Sequence, residues 1–221
     1  MSKHEHVSIS VIRRLPRYYR FLGDLLKSGV SRISSRELSQ RMGLTASQIR
    51  QDLNCFGGFG QQGYGYNTEL LQREIGSIMG VENGNPAVLI GAGNIGRAIA
   101  LNMDFRGMGF KLVGIFDVSK EIIGTDIKGV PVMEIGELEA FCSAHMPRIA
   151  ILTTPREVAP QLVERLVQLG VTGFWNFSHY DFSVKYPDVA VENVHLGDSL
   201  MTLSYLVKNA GGPAQTPETL V

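Results

Sequence analysis

Apolar side chains in the first part of the chain recur at helical spacing. Tyr18, Leu22 and Leu25 lie three or four positions apart, on one face of a predicted helix that ends near Gly29. Tyr19, Phe21 and Leu26 widen that face. This part of the chain is therefore predicted to consist of short helices.

Capping residues mark two more helices. Ser34 and Glu37 have the spacing of a capping box, and the helix that they begin ends at Gly43. Thr45 and Gln48 repeat the spacing almost at once. Two capped helices joined by a tight glycine turn indicate a helix-turn-helix, whose second helix enters the DNA major groove.

Glycines and aromatic residues alternate through residues 57–66, on either side of Gln61 and Gln62. The alternation predicts a short β-hairpin, the wing of a winged helix. A flexible glycine-rich linker is the alternative. Residues 67–79 return to helical spacing, and residues 81–86 are predicted to link two domains.

From Ala87 onward, apolar runs of strand length alternate with helical patterns, the order of a doubly wound parallel sheet. Residues 198–208 form a last predicted helix that is apolar on nearly every side, which predicts burial, with another subunit as one candidate partner. The predicted fold class is α/β, with a winged helix-turn-helix domain (1–81), a Rossmann-type doubly wound parallel sheet (86–196), a C-terminal helix (197–209) and a disordered tail (210–221).

A glycine fingerprint lies between the first strand of this sheet and its helix. Gly91 permits the tight turn, Gly93 lets the backbone approach a pyrophosphate, and Gly96 lets the helix pack closely on the sheet. Asp117 ends the next strand, where its carboxylate suits ribose hydroxyls and repels a 2′-phosphate, which favours NAD(H) over NADP(H). The alternative is that these glycines form a strand-to-helix turn that binds no ligand. The predicted pyrophosphate contacts are Gly91, Ala92, Gly93, Asn94, Ile95 and Gly96.

Two further strand ends are predicted to border the nicotinamide half of such a cofactor. They hold Thr153, Thr154 and Pro155, and Asn176 and Phe177; Phe177 fits a plain core position equally well. His195 is a candidate for a contact that depends on the charge of the cofactor. The alternative is that this histidine has only a structural role.

Charge is divided unevenly along the chain. Residues 1–60 carry ten Lys and Arg against four Asp and Glu, a net +6, although the whole chain has a net charge of zero. This split favours an anionic partner for the first part only. The chain shows no membrane-spanning run, no signal peptide and no metal-ligand spacing around Cys55 and Cys142, which predicts a cytoplasmic protein without a metal site.

The order of these features resembles that of Rex, the bacterial family of redox-sensing transcriptional repressors. The resemblance runs from about Ser8 to Asn209 and rests on residues 45–53, 56–66, 91–96, 117, 176–177 and 191–194. It implies a homodimer, not an enzyme, that binds a palindromic operator and is released by NADH, so that it senses the NADH to NAD+ ratio. It also implies that the C-terminal helix is exchanged between subunits.

The chain departs from many relatives at five positions. Gln61 and Gln62 stand where relatives carry Lys-Arg, and Gln51 stands where they often carry Lys. Fewer cations predict weaker phosphate attraction and less salt dependence. Asn102 and His195 replace a tyrosine and an aspartate near the switch of some relatives.

DNA contacts are predicted on the second helix and on the wing. Arg50 can form two hydrogen bonds with a guanine edge, and Gln51 can do the same with an adenine edge. For Arg50, a phosphate contact or an ion pair with Asp52 is the alternative. Arg13, Arg14 and Arg17 are predicted to contact the DNA backbone or to form an interdomain switch, with a solvated surface position as the alternative for each. The predicted DNA contacts are Arg13, Arg14, Ser47, Arg50, Gln51, Phe59, Gln61 and Gln62.

Two other classes of protein remain open at this stage. An NAD-dependent dehydrogenase needs a catalytic acid or base, yet none of the five histidines lies in a recognisable catalytic motif, so no catalytic residue is predicted. A CoA- or nucleotide-binding subunit fits the Rossmann half but leaves the capped helices and the wing unexplained. Cys55 could add thiol sensitivity, although a buried core cysteine is the favoured interpretation.

Overall fold

The computed structural model describes residues 7–57, 59–61 and 64–210. The chain divides into two compact units. The first contains residues up to Gly84 together with Gly107–Gly109, and the second contains Asn85–Arg106 and the chain from Phe110 onward. Within the described part of the chain, no helix is long and apolar enough to cross a membrane. The predicted disordered tail, apart from Ala210, lies outside the described residues.

The first unit packs helices around one core and closes with a small sheet. Its elements are α1 (Ile9–Ile12), α2 (Leu15–Lys27), β1 (Arg32–Ile33), α3 (Ser35–Met42), α4 (Ala46–Asn54), β2 (Gly60–Gln61), β3 (Gly65–Asn67) and α5 (Thr68–Met79). Tyr18, Leu22 and Leu25 of α2 are buried in this core, as the helical spacing predicts. β3 pairs antiparallel with both β1 and β2, so β2 and β3 pair as a hairpin does rather than belonging to a flexible linker.

The caps of the helix-turn-helix are formed as predicted, with one exception. The Ser34 hydroxyl accepts the Glu37 N–H at 3.1 Å, and Glu37 returns the bond to the Ser34 N–H at 2.8 Å. Gly43 ends α3 at φ +64°. At Thr45 only half of a capping box forms, because Gln48 turns its amide toward Asp52 instead of back to the cap.

The second unit is built on a seven-stranded sheet in the order β10-β9-β8-β4-β5-β7-β6. Its strands are β4 (Asn85–Ile90), β5 (Phe110–Asp117), β6 (Asp126–Ile127), β7 (Val130–Glu134), β8 (Ile149–Leu152), β9 (Gly173–Asn176) and β10 (Ala190–Asn193). Its helices are α6 (Asn94–Asn102), α7 (Leu138–His145), α8 (Ala159–Gln168) and α9 (Leu196–Ala210). Short 3-10 turns cover Arg106–Met108 and Ile135–Glu137.

Both faces of this sheet are covered. Val88 and Ile90 of β4 pack in one core with Leu138 and Leu162, whereas Leu89 packs in a second core with Ala100 of α6. The strand order reverses between β4 and β8, where an open α/β sheet binds its ligands.

The edge strand β6 and its neighbour β7 were not predicted from the sequence. They form a hairpin through Lys128 and Gly129, both at positive φ, and the Asp126 side chain accepts the Gly129 N–H at 2.8 Å. β6 is antiparallel, so the sheet is mostly rather than wholly parallel.

The predicted burial of helix α9 does not occur within the single chain, so its burial against another subunit stays a prediction. Its large apolar side chains are exposed in the single chain, among them Leu200 at 68% and Leu203 at 53%. The apolar pattern predicts that a partner covers this helix, and the described residues of the chain do not cover it.

Candidate functional site

The glycine loop has the geometry that the fingerprint predicts. Gly91 adopts φ +99°, a conformation that disfavours other residues, and an added Cβ would lie 3.0 Å from the Thr153 carbonyl oxygen. At Gly96 an added Cβ would collide with the Gly91 carbonyl oxygen and lie 2.7 Å from Thr153 Oγ1. Gly93, the N-cap of α6, has no neighbouring heavy atom near that position, which leaves room for a ligand.

Asp117 lies across the glycine loop from the end of β5. One of its oxygens accepts the Ala92 N–H at 2.6 Å, and the other accepts the N–H groups of Val118 and Ser119 at 2.7 and 2.9 Å. These bonds hold the carboxylate at the mouth of the loop, where it keeps acceptor capacity for ribose hydroxyls.

A cleft of about 400 Å³ opens between the ends of β4, β5 and β8 and the start of α8. Apolar side chains dominate one side, and Asp117 and the glycine loop supply the polar groups. The lining residues are Ile90, Gly91, Gly93, Phe116, Asp117, Val118, Ile135, Thr153, Thr154, Pro155, Val158, Gln161, Leu162 and Arg165.

Part of this lining was missed by sequence reasoning. Ile135 follows β7, whereas Gln161, Leu162 and Arg165 lie on α8. Arg165 is held in place by Glu139 of α7, to which it donates hydrogen bonds of 2.8 and 3.0 Å. Those bonds lower the pKa of the Glu139 carboxyl. Ile90, Phe116 and Val118 were recognisable from their positions in the chain, next to Gly91 and Asp117.

The predicted residues after β8 belong to this cleft. Thr153 Oγ1 donates to the Gly91 carbonyl oxygen at 2.6 Å and so fixes the turn to its neighbouring strand. The buried Thr154 Oγ1 has no hydrogen-bond partner within the described residues. Both lie in the same cleft as Asp117, and their contact with the nicotinamide half stays a prediction.

Asn176 and Phe177 lie beyond this cleft lining. The Asn176 amide is buried and donates to the Tyr180 carbonyl oxygen at 2.8 Å and to Asn193 Oδ1 at 2.7 Å, while its oxygen accepts from Ser178. Phe177 packs edge-on against Trp175, with ring centroids 4.7 Å apart. Both side chains therefore have structural partners within the chain.

His195 has a partner that the sequence did not suggest. Its Nδ1 lies 2.8 Å from Nδ1 of His179, and the two rings stack with centroids 4.9 Å apart. Among the described residues, no group of three or more side chains has the arrangement of a metal site.

Helix α4 presents one polar face to solvent. Its exposed side chains recur three or four positions apart, which places them on one side of the helix, and they are Ser47, Arg50, Gln51 and Asn54. Asn54 extends the predicted face by one turn. Arg50 Nη1 donates to Ser35 Oγ at 3.1 Å, so the suggested pair with Asp52 is wrong.

Asp52 pairs with Arg14 instead. Arg14 Nε and Nη2 donate to the two carboxylate oxygens at 2.7 and 2.8 Å, in a bidentate ion pair whose acid is 1% exposed. The Arg14 guanidinium is therefore engaged in this pair inside its own unit, and we do not retain it as a DNA contact. Arg17 donates to the Met42 carbonyl oxygen, and the Arg13 side chain is exposed.

The wing supports the predicted contacts only in part. Phe59 is half-buried and packs against the core of its unit, so its ring is turned inward. Gln61 lies in β2, opposite Gly65, and Gln62 falls outside the described residues. Cys55 is exposed at the end of α4, contrary to the expected burial, and its thiol faces the Gln51 carbonyl oxygen.

Comparison with known proteins matches both halves of the chain. Residues 6–54 match a family described as "Putative DNA-binding protein N-terminus", and residues 82–180 match "CoA binding domain". A solved structure of RSP in complex with β-NAD+ and operator DNA is 49% identical and superimposes with a TM-score of 0.85 over 94% of this chain and 99% of that one. A complex of RSP with β-NADH is 47% identical, with a TM-score of 0.84 over 93% and 96%. These matches confirm the predicted fold class.

Two curated relatives cover nearly all of this chain and share the name Rex. The redox-sensing transcriptional repressor Rex of Clostridium beijerinckii is 48% identical over 95% of this chain and 99% of that protein. Rex of Thermoanaerobacter pseudethanolicus is 53% identical over 93% of this chain and 91% of that protein. Their role is regulatory rather than enzymatic, which removes the dehydrogenase alternative. The chain belongs to the Rex family of redox-sensing transcriptional repressors.

Proposed function

We propose that this chain binds a palindromic operator as a homodimer and that NADH, bound in the cleft of the second unit, releases it from the DNA. NAD+ permits DNA binding. The observation that carries the proposal is the placement of Asp117 over the glycine loop, at the reversal of strand order, in a chain that also exposes the polar face of α4. Solved complexes of RSP, a protein about half identical to this one, contain β-NAD+ with operator DNA and β-NADH.

The chemistry of the cleft favours NAD(H) over CoA, despite the description of the matched family. CoA carries a phosphate on the 3′ position of its adenosine ribose, and NADP(H) carries one on the 2′ position. The Asp117 carboxylate stands where either phosphate would come close, so like charges would repel. NAD(H) presents two hydroxyls there, which donate to the carboxylate.

The proposed cofactor contacts follow the cleft. The glycine loop, residues 91–96, holds the pyrophosphate at the N-terminus of α6, and Asp117 holds the ribose. Thr154 supplies a buried hydroxyl that has no hydrogen-bond partner among the residues that the structure describes. Asn176 and Phe177 remain proposed contacts for the nicotinamide half, through the end of β9.

The switch is a coupling free energy between two sites. NADH and NAD+ differ in charge at the nicotinamide, so each stabilises the operator-binding arrangement of the dimer to a different degree. We propose that NADH favours an arrangement in which the two recognition helices are wrongly spaced for successive major grooves, about 34–36 Å apart.

The homodimer proposal rests on α9, whose apolar side chains are exposed in the single chain. We propose that this helix is exchanged between subunits, as the Rex resemblance implies. We further propose the domain limits 1–81, 86–196 and 197–209, and a cytoplasmic location, which suits two free cysteines and a sensor of NADH.

The proposed DNA contacts are Ser47, Arg50, Gln51 and Asn54 of α4, with Arg13 and the glutamines of the wing, Gln61 and Gln62, as neighbours. Arg50→Ala is expected to weaken binding to a palindromic duplex selected by the wild-type chain, since a bidentate base contact contributes about 1–3 kcal/mol of discrimination. Competition against a scrambled duplex of equal length measures that loss.

Arg73→Ala is the matched control, because it removes the same charge from an exposed position on α5. Equal losses in the two variants would show that Arg50 acts only through its charge. Failure of the wild-type chain to select any duplex would contradict the proposed function itself.

A further inference from the structure

Asp52 is the buried acid of the recognition helix. It lies on α4, two positions after Arg50 and therefore about 200° around the helix from it. Its side chain is 1% exposed, whereas the neighbouring Arg50 and Gln51 are exposed. A carboxylate is rarely buried unless its oxygens have hydrogen-bond partners. The residues around Asp52 therefore determine whether its burial is stable.

Four hydrogen bonds converge on this carboxylate. Arg14 donates two of them, at 2.7 and 2.8 Å, and the Tyr18 hydroxyl donates a third at 2.8 Å. Gln48 Nε2 donates the fourth, also at 2.8 Å, from one turn earlier on α4. Arg14 and Tyr18 belong to the start of α2, so the bonds join two helices that the sequence separates by more than thirty positions.

We propose that Asp52 is a positioning residue for operator recognition, which fixes the rotation of α4 about its own axis by anchoring it to α2. Gln48 belongs to the same anchor and does not read a base. The inference rests on the proposed role of α4 in DNA binding. Asp52 itself touches no DNA, since it faces the core.

Small rotations matter for base recognition. A turn of about 20° moves a side-chain atom at the helix's outer radius of about 5–6 Å by about 2 Å. Hydrogen bonds tolerate a range of only about 0.5 Å. Loss of the anchor should therefore reduce discrimination between sequences, while attraction to phosphates, which depends on charge alone, persists.

The four donors around Asp52 require an ionised carboxylate as their acceptor. Burial by itself raises the pKa of this carboxyl, but hydrogen bonds from Arg14, Gln48 and Tyr18 outweigh it and leave the pKa below its ordinary value. Burial and the bond to Asp52 raise the pKa of Tyr18, which keeps its hydroxyl as a donor. All four bonds point toward an ionised acceptor, and an amide at position 52 would turn its own N–H groups toward one of the donors.

The test is Asp52→Asn in the full chain, with two probes: a palindromic duplex selected by the wild-type chain from random sequences, and a scrambled duplex of equal length. We expect operator affinity to fall by at least about tenfold, the size of one lost base contact. Binding to the scrambled duplex should stay within about threefold or tighten, because the variant loses a negative charge. A helical circular-dichroism spectrum like that of the wild-type chain, together with retained binding to the scrambled duplex, reports that the first unit is folded.

Asp24→Asn is the matched control, because it makes the same charge change at an exposed position of α2. Its operator affinity should not fall. A preserved ratio of operator to scrambled binding in Asp52→Asn would overturn the inference, provided that wild-type protein binds its selected duplex. If the wild-type chain selects none, the proposed function fails instead.

Two milder variants test the anchoring role of Asp52 if Asp52→Asn does not fold. Tyr18→Phe removes one donor and leaves the ion pair with Arg14 in place. It should lower the same ratio, and an unchanged ratio would count against the anchor. Gln48→Met should lower discrimination at every operator position, whereas a change confined to one base pair would mean that Gln48 reads that base.

Discussion

Replacing Asp117 by Ala is expected to leave operator binding intact and to abolish its response to NADH. The carboxylate is the charged acceptor at the mouth of the glycine loop, where it already holds the Ala92 N–H at 2.6 Å. Each hydrogen bond to a charged group contributes about 1.5–3 kcal/mol, so loss of two ribose bonds should weaken NADH binding by at least about 100-fold. Titration of NADH fluorescence measures the dissociation constant directly.

The control for this variant is Asp188→Ala, which removes the same charge from an exposed position of the second unit. It should bind NADH as the wild-type chain does. If Asp117→Ala remained folded and lost operator binding, the division of labour between the two units would be wrong. Retained NADH affinity would instead remove Asp117 from the site.

Leu200→Glu is expected to convert a dimer into a monomer and to abolish binding to the full palindrome. Leu200 belongs to a stripe with Leu196, Leu203 and Val207 on α9, all of them exposed in the single chain. Burying a leucine contributes about 1.5–3 kcal/mol per subunit, and a buried, unpaired carboxylate costs more than that gain. Analytical ultracentrifugation gives the oligomeric state, and operator shifts give the affinity.

Thr202→Glu provides the matched comparison. It adds the same charge two positions later, on the polar stripe that also holds Asp198 and Asn209. It should remain dimeric if the leucine stripe carries the interface. A Leu200→Glu protein that still sedimented as a dimer would show that α9 is not the dimerisation element.

Local patterns in the sequence predict much of this molecule. The cap at Ser34, the turn at Gly43 and the fingerprint at Gly91 depend on residues within a few positions of one another, so their spacing alone fixes the geometry. Asp117 was also predictable, because the length of one strand-helix-strand unit sets its distance from the glycines.

Contacts between distant segments were not predictable. Arg14 and Asp52 lie 38 positions apart, and nothing in either segment indicates the bidentate pair. The side of the cleft formed by Ile135 and Arg165 comes together only when two crossover helices pack on one sheet face. The side chains of α9 posed a different problem, because their pattern reports burial without saying which molecule covers them.

The most direct test of the central claim is a titration of the wild-type complex with its selected palindromic duplex, first with NADH and then with NAD+ and CoA. We predict that NADH releases the DNA at concentrations at which NAD+ and CoA leave the complex intact. Release by CoA, or binding that ignores NADH, would contradict the account, since the cleft at Asp117 would then serve another ligand.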